Sequence, residues 1–352
     1  MRLKPYIGAL VLVILLALSG CDRGAVVPPS ASGGQTSRTV FAMDTVMELA
    51  PSGEHAKEAC DLAEARIMEL EALFSVTLSD SEVYAVNHAD GVPVALSPDT
   101  LALLTDALDW CRQTDGALDI SIYPVLRTWG FTTGEYRVPN DDEIAELLTR
   151  VDYTRVATDA EAHTVTLPPD MEIDLGSVAK GYTGNAVMQA FRDAGVTSGM
   201  ISLGGNVQVL GTKPDGTDWH IAVQDPSGDG YVGIVSVADK AVITSGGYER
   251  FFEQDGVTYW HILDPETGKP ARSGVVSATI VGADGTMCDA LSTALFVMGA
   301  DRAAAFWQAH ADAEFDFILV LEDGSLVITE GLENSFEAVG AWEDAQIEVI
   351  RR

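Results

Sequence analysis

Basic residues are scarce in this chain. Lys and Arg number 21 against 53 Asp and Glu, a formal net charge of −32 over 352 residues. Such a surface repels nucleic acid and anionic membrane headgroups, so neither is a partner for the bulk of the protein. A phosphate-bearing ligand would need local help from a metal, a lysine or helix N-termini. Cysteine is also sparse, four residues in all, with no CxxC pair. Besides Cys21, the thiols are Cys60, Cys111 and Cys288. Cys60 and Cys111 fall in helical stretches and read either as a pair or as two buried thiols, and Cys288 reads as packing. The six histidines make neither HxH nor HExxH, which argues against a zinc hydrolase. No internal repeat or long low-complexity tract is present.

What is present begins with an export signal. Arg2 and Lys4 precede an apolar run at 7–18, too short to span a membrane comfortably, so residues 1–20 read as a signal peptide. Leu18-Ser-Gly-Cys21 resembles a bacterial lipobox, in which Cys21 is lipidated and becomes the mature N-terminus; the alternative is a plain signal peptide with a chance cysteine. With Asp22 next, the expected location is the periplasmic side of the cell inner membrane, held by a lipid anchor. Residues 21–38, rich in Pro, Gly, Ser and Thr, read as a flexible tether. Residues 39–340 are then the catalytic domain, and 341–352 a C-terminal tail.

Hydrophobic spacing predicts a strand over 39–50 and helices over 54–74, 81–88, 97–111, 141–150, 177–194, 284–299 and 301–311. Short strands are expected at 155–158, 163–167, 171–174, 198–203, 207–211, 219–224, 232–238, 242–245, 248–254, 257–263, 275–282, 316–321 and 325–329. Helices and antiparallel-looking hairpins in blocks indicate an α+β fold and not a doubly wound sheet.

Chemistry concentrates at Asp174-Leu-Gly-Ser-Val-Ala-Lys-Gly-Tyr182, where an acid, a tight turn, a hydroxyl and a lysine sit at a helix start. A helix N-terminus there offers N–H groups to an anion, although Gly and Ser are also ordinary turn residues. Ser177-Val-Ala-Lys180 is literally SxxK, the nucleophile motif of β-lactamases, but its KTG and SDN companions are missing. Asp289 and Thr293, four apart on a helix, place a carboxylate and a hydroxyl on one face, which suits Mg²⁺. On spacing alone the plainer reading is an exposed Asp complementing the helix dipole. His261 could be a general base or a strand-end histidine bonded to backbone. Gly204-Gly205-Asn206 reads as a hairpin turn or a close approach to a ligand.

Ordered blocks then carry a resemblance. They are Met43-Asp-Thr45, Phe74-Ser75 with Asp80-Ser-Glu82 and Asn87, Gly116-Ala-Leu-Asp119 with Trp129-Gly-Phe131, Asp174 to Gly181, Gly204-Gly-Asn206, Thr244-Ser-Gly246 with Tyr248-Glu-Arg250, His261-Ile-Leu-Asp-Pro265 with Thr267-Gly268, and Asp289-Ala-Leu with Thr293. In this order they resemble the ApbE family of periplasmic FAD:protein FMN transferases over about 39–335. The resemblance implies a T-fold-like α+β architecture of antiparallel sheets and packed helices, with the flavin site between two lobes. It implies FAD contacts at Met43, Thr77, Ala117, Leu118, Asp119, Asp174, Lys180 and Leu263. It also implies an Mg²⁺ site at Ser177 (through its carbonyl), Asp289 and Thr293, and His261 as catalytic base. Three positions depart from the family pattern: Asp44 replaces a usual Gly, Leu118 a common aromatic, and Thr77 an aromatic near the flavin, so stacking is expected to be weaker there. The implied reaction moves the FMN moiety of FAD onto a threonine or serine of a partner, typically a subunit of a membrane redox complex, and releases AMP. The alternatives are an Mg²⁺-dependent FAD pyrophosphatase and a non-catalytic flavin-binding lipoprotein.

Overall fold

The computed structural model describes residues 36–228 and 230–352, which fall within one compact unit. The signal segment, Cys21 and the tether up to residue 35 lie outside the described residues. The framework is a nine-stranded sheet. Its order is Arg38–Ala42, Thr45–Ser52, Ser198–Leu203, Asn206–Leu210, Ala241–Gly246, Val275–Gly282, Asp316–Leu321, Leu326–Thr329 and Ile347–Ile350. Neighbours are antiparallel except the last pair, which is parallel. The α+β class read from the sequence is the class observed.

Period-two alternation divides this sheet between two cores. Ile243, Ala278, Ile280, Phe317 and Leu319 face the helices, where they pack with Leu291, Leu295 and Phe296. Their neighbours Val242, Val281, Ile318 and Val320 face the opposite way. There they meet a three-stranded sheet formed by Phe336–Ala338, Tyr231–Val237 and Trp219–Gln224. Each such aliphatic side chain contributes about 1.5–3 kcal/mol when fully buried. The helices Ala56–Phe74, Gly176–Asp193 and Gly285–Met298 cover the first face, so the order of layers is helices, large sheet, small sheet.

Four sequence expectations are corrected. The expected single strand over 39–50 is a hairpin that turns at Met43 and Asp44, with φ of 50° and 58°. Two left-handed residues in succession match the twist of a tight hairpin. No glycine marks the turn, so composition hides it; the Met43 N–H is held by Glu71 Oε1 at 2.6 Å. The expected strand at 171–174 has no ladder partner and is clamped by a side chain instead. The expected strand 257–263 is two short strands, Val257–Trp260 and Leu263–Asp264. Finally, 341–352 is not a free tail: Ile347–Ile350 completes the large sheet by pairing with Leu326–Thr329. Cys60, Cys111 and Cys288 are free and buried, so Cys60 and Cys111 do not pair.

Candidate active site

Two helices set the first wall. The helix Gly176–Asp193 lies close against Gly285–Met298 because each contributes a glycine at the crossing. A Cβ at Gly181 would run into the Gly285 carbonyl, and one at Gly285 into the Gln208 amide. This approach puts Asp289 beside the first helix. The Gly181 N–H donates to Asp289 Oδ2 at 2.8 Å, and Asn206 Nδ2 donates to Oδ1 at 2.9 Å. Asp289 is 3% exposed, and its nearest cation is Lys180 Nζ at 3.9 Å. Burial pushes this carboxyl above the usual range, while Lys180 and the two donors pull it down. A buried carboxylate with one hydrogen bond per oxygen and no close ion pair retains capacity for a hard cation. Among the described residues no group of three or more His, Cys, Asp and Glu could hold a metal. The donors here are one carboxylate with hydroxyl and carbonyl oxygens, which fits Mg²⁺ completed by phosphate and water better than zinc. Thr293 follows one turn later, its Oγ1 3.4 Å from Ser245 Oγ.

The segment before the first helix is placed by amides. Asn87 donates to the Ile173 carbonyl and accepts from its N–H, both at 2.8 Å. The Asp174 N–H reaches the Ile120 carbonyl at 2.9 Å, and Asp174 Oδ1 accepts from the Gly176 N–H at 2.9 Å. Leu175 at the N-cap has no side-chain bond to offer, so Asp174 serves the first N–H of the helix instead. Asp119 is committed to its own loop: Oδ1 accepts from the N–H and Oγ of Ser121, and Oδ2 from the Tyr153 N–H. Ala117 and Leu118 precede it in the chain and line the same cavity as Asp174.

The second wall is the ribbon from Thr244 to Pro265. The His261 N–H donates to the Arg250 carbonyl at 3.1 Å, and Nδ1 lies 3.3 Å from the same oxygen. A carbonyl only accepts, so Nδ1 carries the proton and Nε2 keeps its lone pair. Burial, with Arg250 and Lys180 nearby, lowers this imidazole to about 3, so the ring is neutral at ordinary pH. Glu249 also lines the cavity. Enclosure by the walls raises its carboxyl to about 7 against the pull of Lys180.

Between the walls lies a cavity of about 690 Å³. Ten sequence-derived candidates line it: Ala117, Leu118, Asp119, Asp174, Ser177, Lys180, His261, Leu263, Asp289 and Thr293. Met43 and Thr77 do not. Met43 packs into the core beneath the hairpin, with Thr183 Oγ1 donating to its sulfur at 3.7 Å. Thr77 is exposed in a turn and bonds Ser75 Oγ. Sequence reasoning gave no role to Asn206, Glu249, Arg250 or Phe41. The first three sit in blocks that the sequence does single out, Gly204-Gly-Asn206 and Tyr248-Glu-Arg250. Phe41 carries no motif signal at all.

The ApbE family matches residues 43–317, across both walls of this cavity. This chain belongs to the ApbE family. Within the family it is similar to the FAD:protein FMN transferase of Vibrio cholerae, 32% identical over 308 residues, covering 85% of this chain and 90% of that one. The FAD:protein FMN transferase of Treponema pallidum is 35% identical over 269 residues, covering 72% and 74%. Among solved ApbE structures, that of the Thermotoga maritima protein aligns with a TM-score of 0.81 at 33% identity, over 85% of this chain and 98% of that one. The Pseudomonas stutzeri flavinyl transferase gives 0.77 at 25% identity, over 88% and 98%.

Proposed function

We propose that this protein transfers the FMN moiety of FAD to a threonine or serine of a partner polypeptide, with release of AMP. One observation carries the reading: the buried Asp289, with Lys180 Nζ 3.9 Å away, and the neutral His261 open onto one cavity of about 690 Å³. In this reading Leu118, Leu263 and Ala117 hold FAD by its apolar part, and Lys180 faces its phosphates. The acceptor hydroxyl attacks the FMN-side phosphorus, and the phosphoanhydride bond to AMP breaks. His261 Nε2 takes the hydroxyl proton, a contribution of about 10²–10⁴ in rate. Asp289, Thr293 and the Ser177 carbonyl would hold Mg²⁺, which when bound supplies charge neutralisation at the pyrophosphate. Positioning does most of the remaining work, as expected for phosphoryl transfer. The acceptor would be a subunit of a membrane redox complex. The enzyme would be tethered through Cys21 to the periplasmic side of the inner membrane.

The test is an incubation with FAD, Mg²⁺ and a candidate subunit, read by in-gel flavin fluorescence and by AMP release. Transfer is expected with the wild-type protein and a loss of at least a hundredfold with Asp289→Ala. Unchanged flavinylation in that variant would remove the metal assignment. FMN appearing free instead of protein-bound would make the protein an FAD pyrophosphatase, and no AMP at all would make it a carrier.

A further inference from the structure

The cavity is short of aromatic surface. Leu118 on its wall is aliphatic, and among the described residues only two phenylalanines line it, Phe41 and Phe131. Phe131 is 7% exposed and already packed against Tyr136, Phe252 and His261. Phe41 is different. It is 70% exposed and makes no ring pair among the described residues. Its neighbours Val40 and Ala42 point into the core, so alternation turns Phe41 to the opposite face. Across the hairpin it pairs with Val46, 48% exposed and also on the cavity wall. Phe41 and Val46 together put bare apolar surface on the wall of the cavity.

We propose that Phe41, backed by Val46, is the stacking platform for a planar heteroaromatic ring of the bound dinucleotide. This rests on the reading of FAD as substrate and adds the residue that receives one of its rings. Flavin and adenine share the required chemistry, a flat π-face, and the position of Phe41 does not choose between them. The residue is a specificity determinant for binding and takes no part in proton transfer. The edge-strand position supports the assignment: the tight turn at Met43 and Asp44 fixes the hairpin, so the ring is presented with little backbone freedom.

The experiment compares the wild-type protein with Phe41→Ser and Phe41→Trp by calorimetric titration with FAD, with FMN alone and with AMP alone. Phe41→Ser is expected to weaken FAD about tenfold, equivalent to about 1.4 kcal/mol. It should weaken one of FMN and AMP by a similar factor and leave the other unchanged, which names the stacked ring. Phe41→Trp is expected to bind FAD at least as tightly as the wild-type protein. At 70% exposure the site tolerates both changes, and melting temperatures within about 2 °C check this. FAD affinity unchanged in Phe41→Ser overturns the inference, as does a change confined to the KM of the polypeptide acceptor. Absence of FAD binding by the wild-type protein would instead overturn the proposed function.

Discussion

The two walls of the cavity are built in opposite ways. The helix crossing that carries Lys180 and Asp289 is buried, glycine-spaced and backed by the large sheet. The ribbon that carries Glu249, Arg250 and His261 is a turn between short strands, with its charged side chains reaching into the cavity. In the first wall the site and the core are the same contacts. In the second the chemistry rests on a few backbone hydrogen bonds at the edge of the core. Damage to the crossing should therefore remove fold and activity together, whereas damage to the ribbon should remove activity alone.

Gly181→Val is the severest way to break that contrast. The added side chain meets the Gly285 backbone and Asp289 Cβ, neither of which can yield without moving a helix. A stability loss of about 3 kcal/mol, read from the urea midpoint, is expected together with loss of transfer. A variant as stable as the wild-type protein would show that the crossing is not tight. His261→Asn tests the other wall. Single-turnover transfer should fall by about 10²–10⁴, with stability within about 0.5 kcal/mol. Equal damage to stability would erase the distinction between the walls.

The titrations sharpen it further. The imidazole of His261 is held to about 3 in the folded protein, against an ordinary value of 6.5. Below about 6.5 the unfolded chain gains a proton that the folded one does not, so stability falls as pH drops toward 3. Transfer should show no acid limb from His261 between pH 5 and 8, and His261→Asn should flatten the acid side of the stability profile. Glu249 has the opposite sign and the smallest expected effect. Its folded value of about 7 lies above the ordinary 4.5, so the folded state holds a proton that the unfolded one has lost. Stability therefore declines as pH rises through that window. Glu249→Gln should remove this decline, measured by melting temperature against pH, and change transfer by only a few-fold.

Much of this was legible in the chain. The helices Ala56–Phe74, Pro98–Gln113, Gly176–Asp193 and Gly285–Met298 follow from long apolar periodicity, and Ser81 and Ser97 accept the N–H bonds expected of caps. The motif blocks pointed to ten residues that share one cavity. The misses have specific causes. Met43 and Asp44 turn a hairpin without the glycine that would announce it. Residues 171–174 look like a strand but answer to Asn87, 86 positions away. Ile347–Ile350 is short and mostly polar in its surroundings, and only its partner Leu326–Thr329 makes it a strand.

By itself the sequence determined the α+β class, the periodic helices and the list of chemical groups, because propensity, spacing and motif order are local properties. Only the tertiary structure decided which groups meet. Lys180 and Asp289 lie over a hundred residues apart, and they come within 3.9 Å because Gly181 and Gly285 let two helices touch. The free lone pair of His261 depends on the Arg250 carbonyl, and the bare ring of Phe41 on the hairpin turning at Met43 and Asp44. These are long-range packing and hydrogen-bond outcomes, which no single stretch of chain encodes.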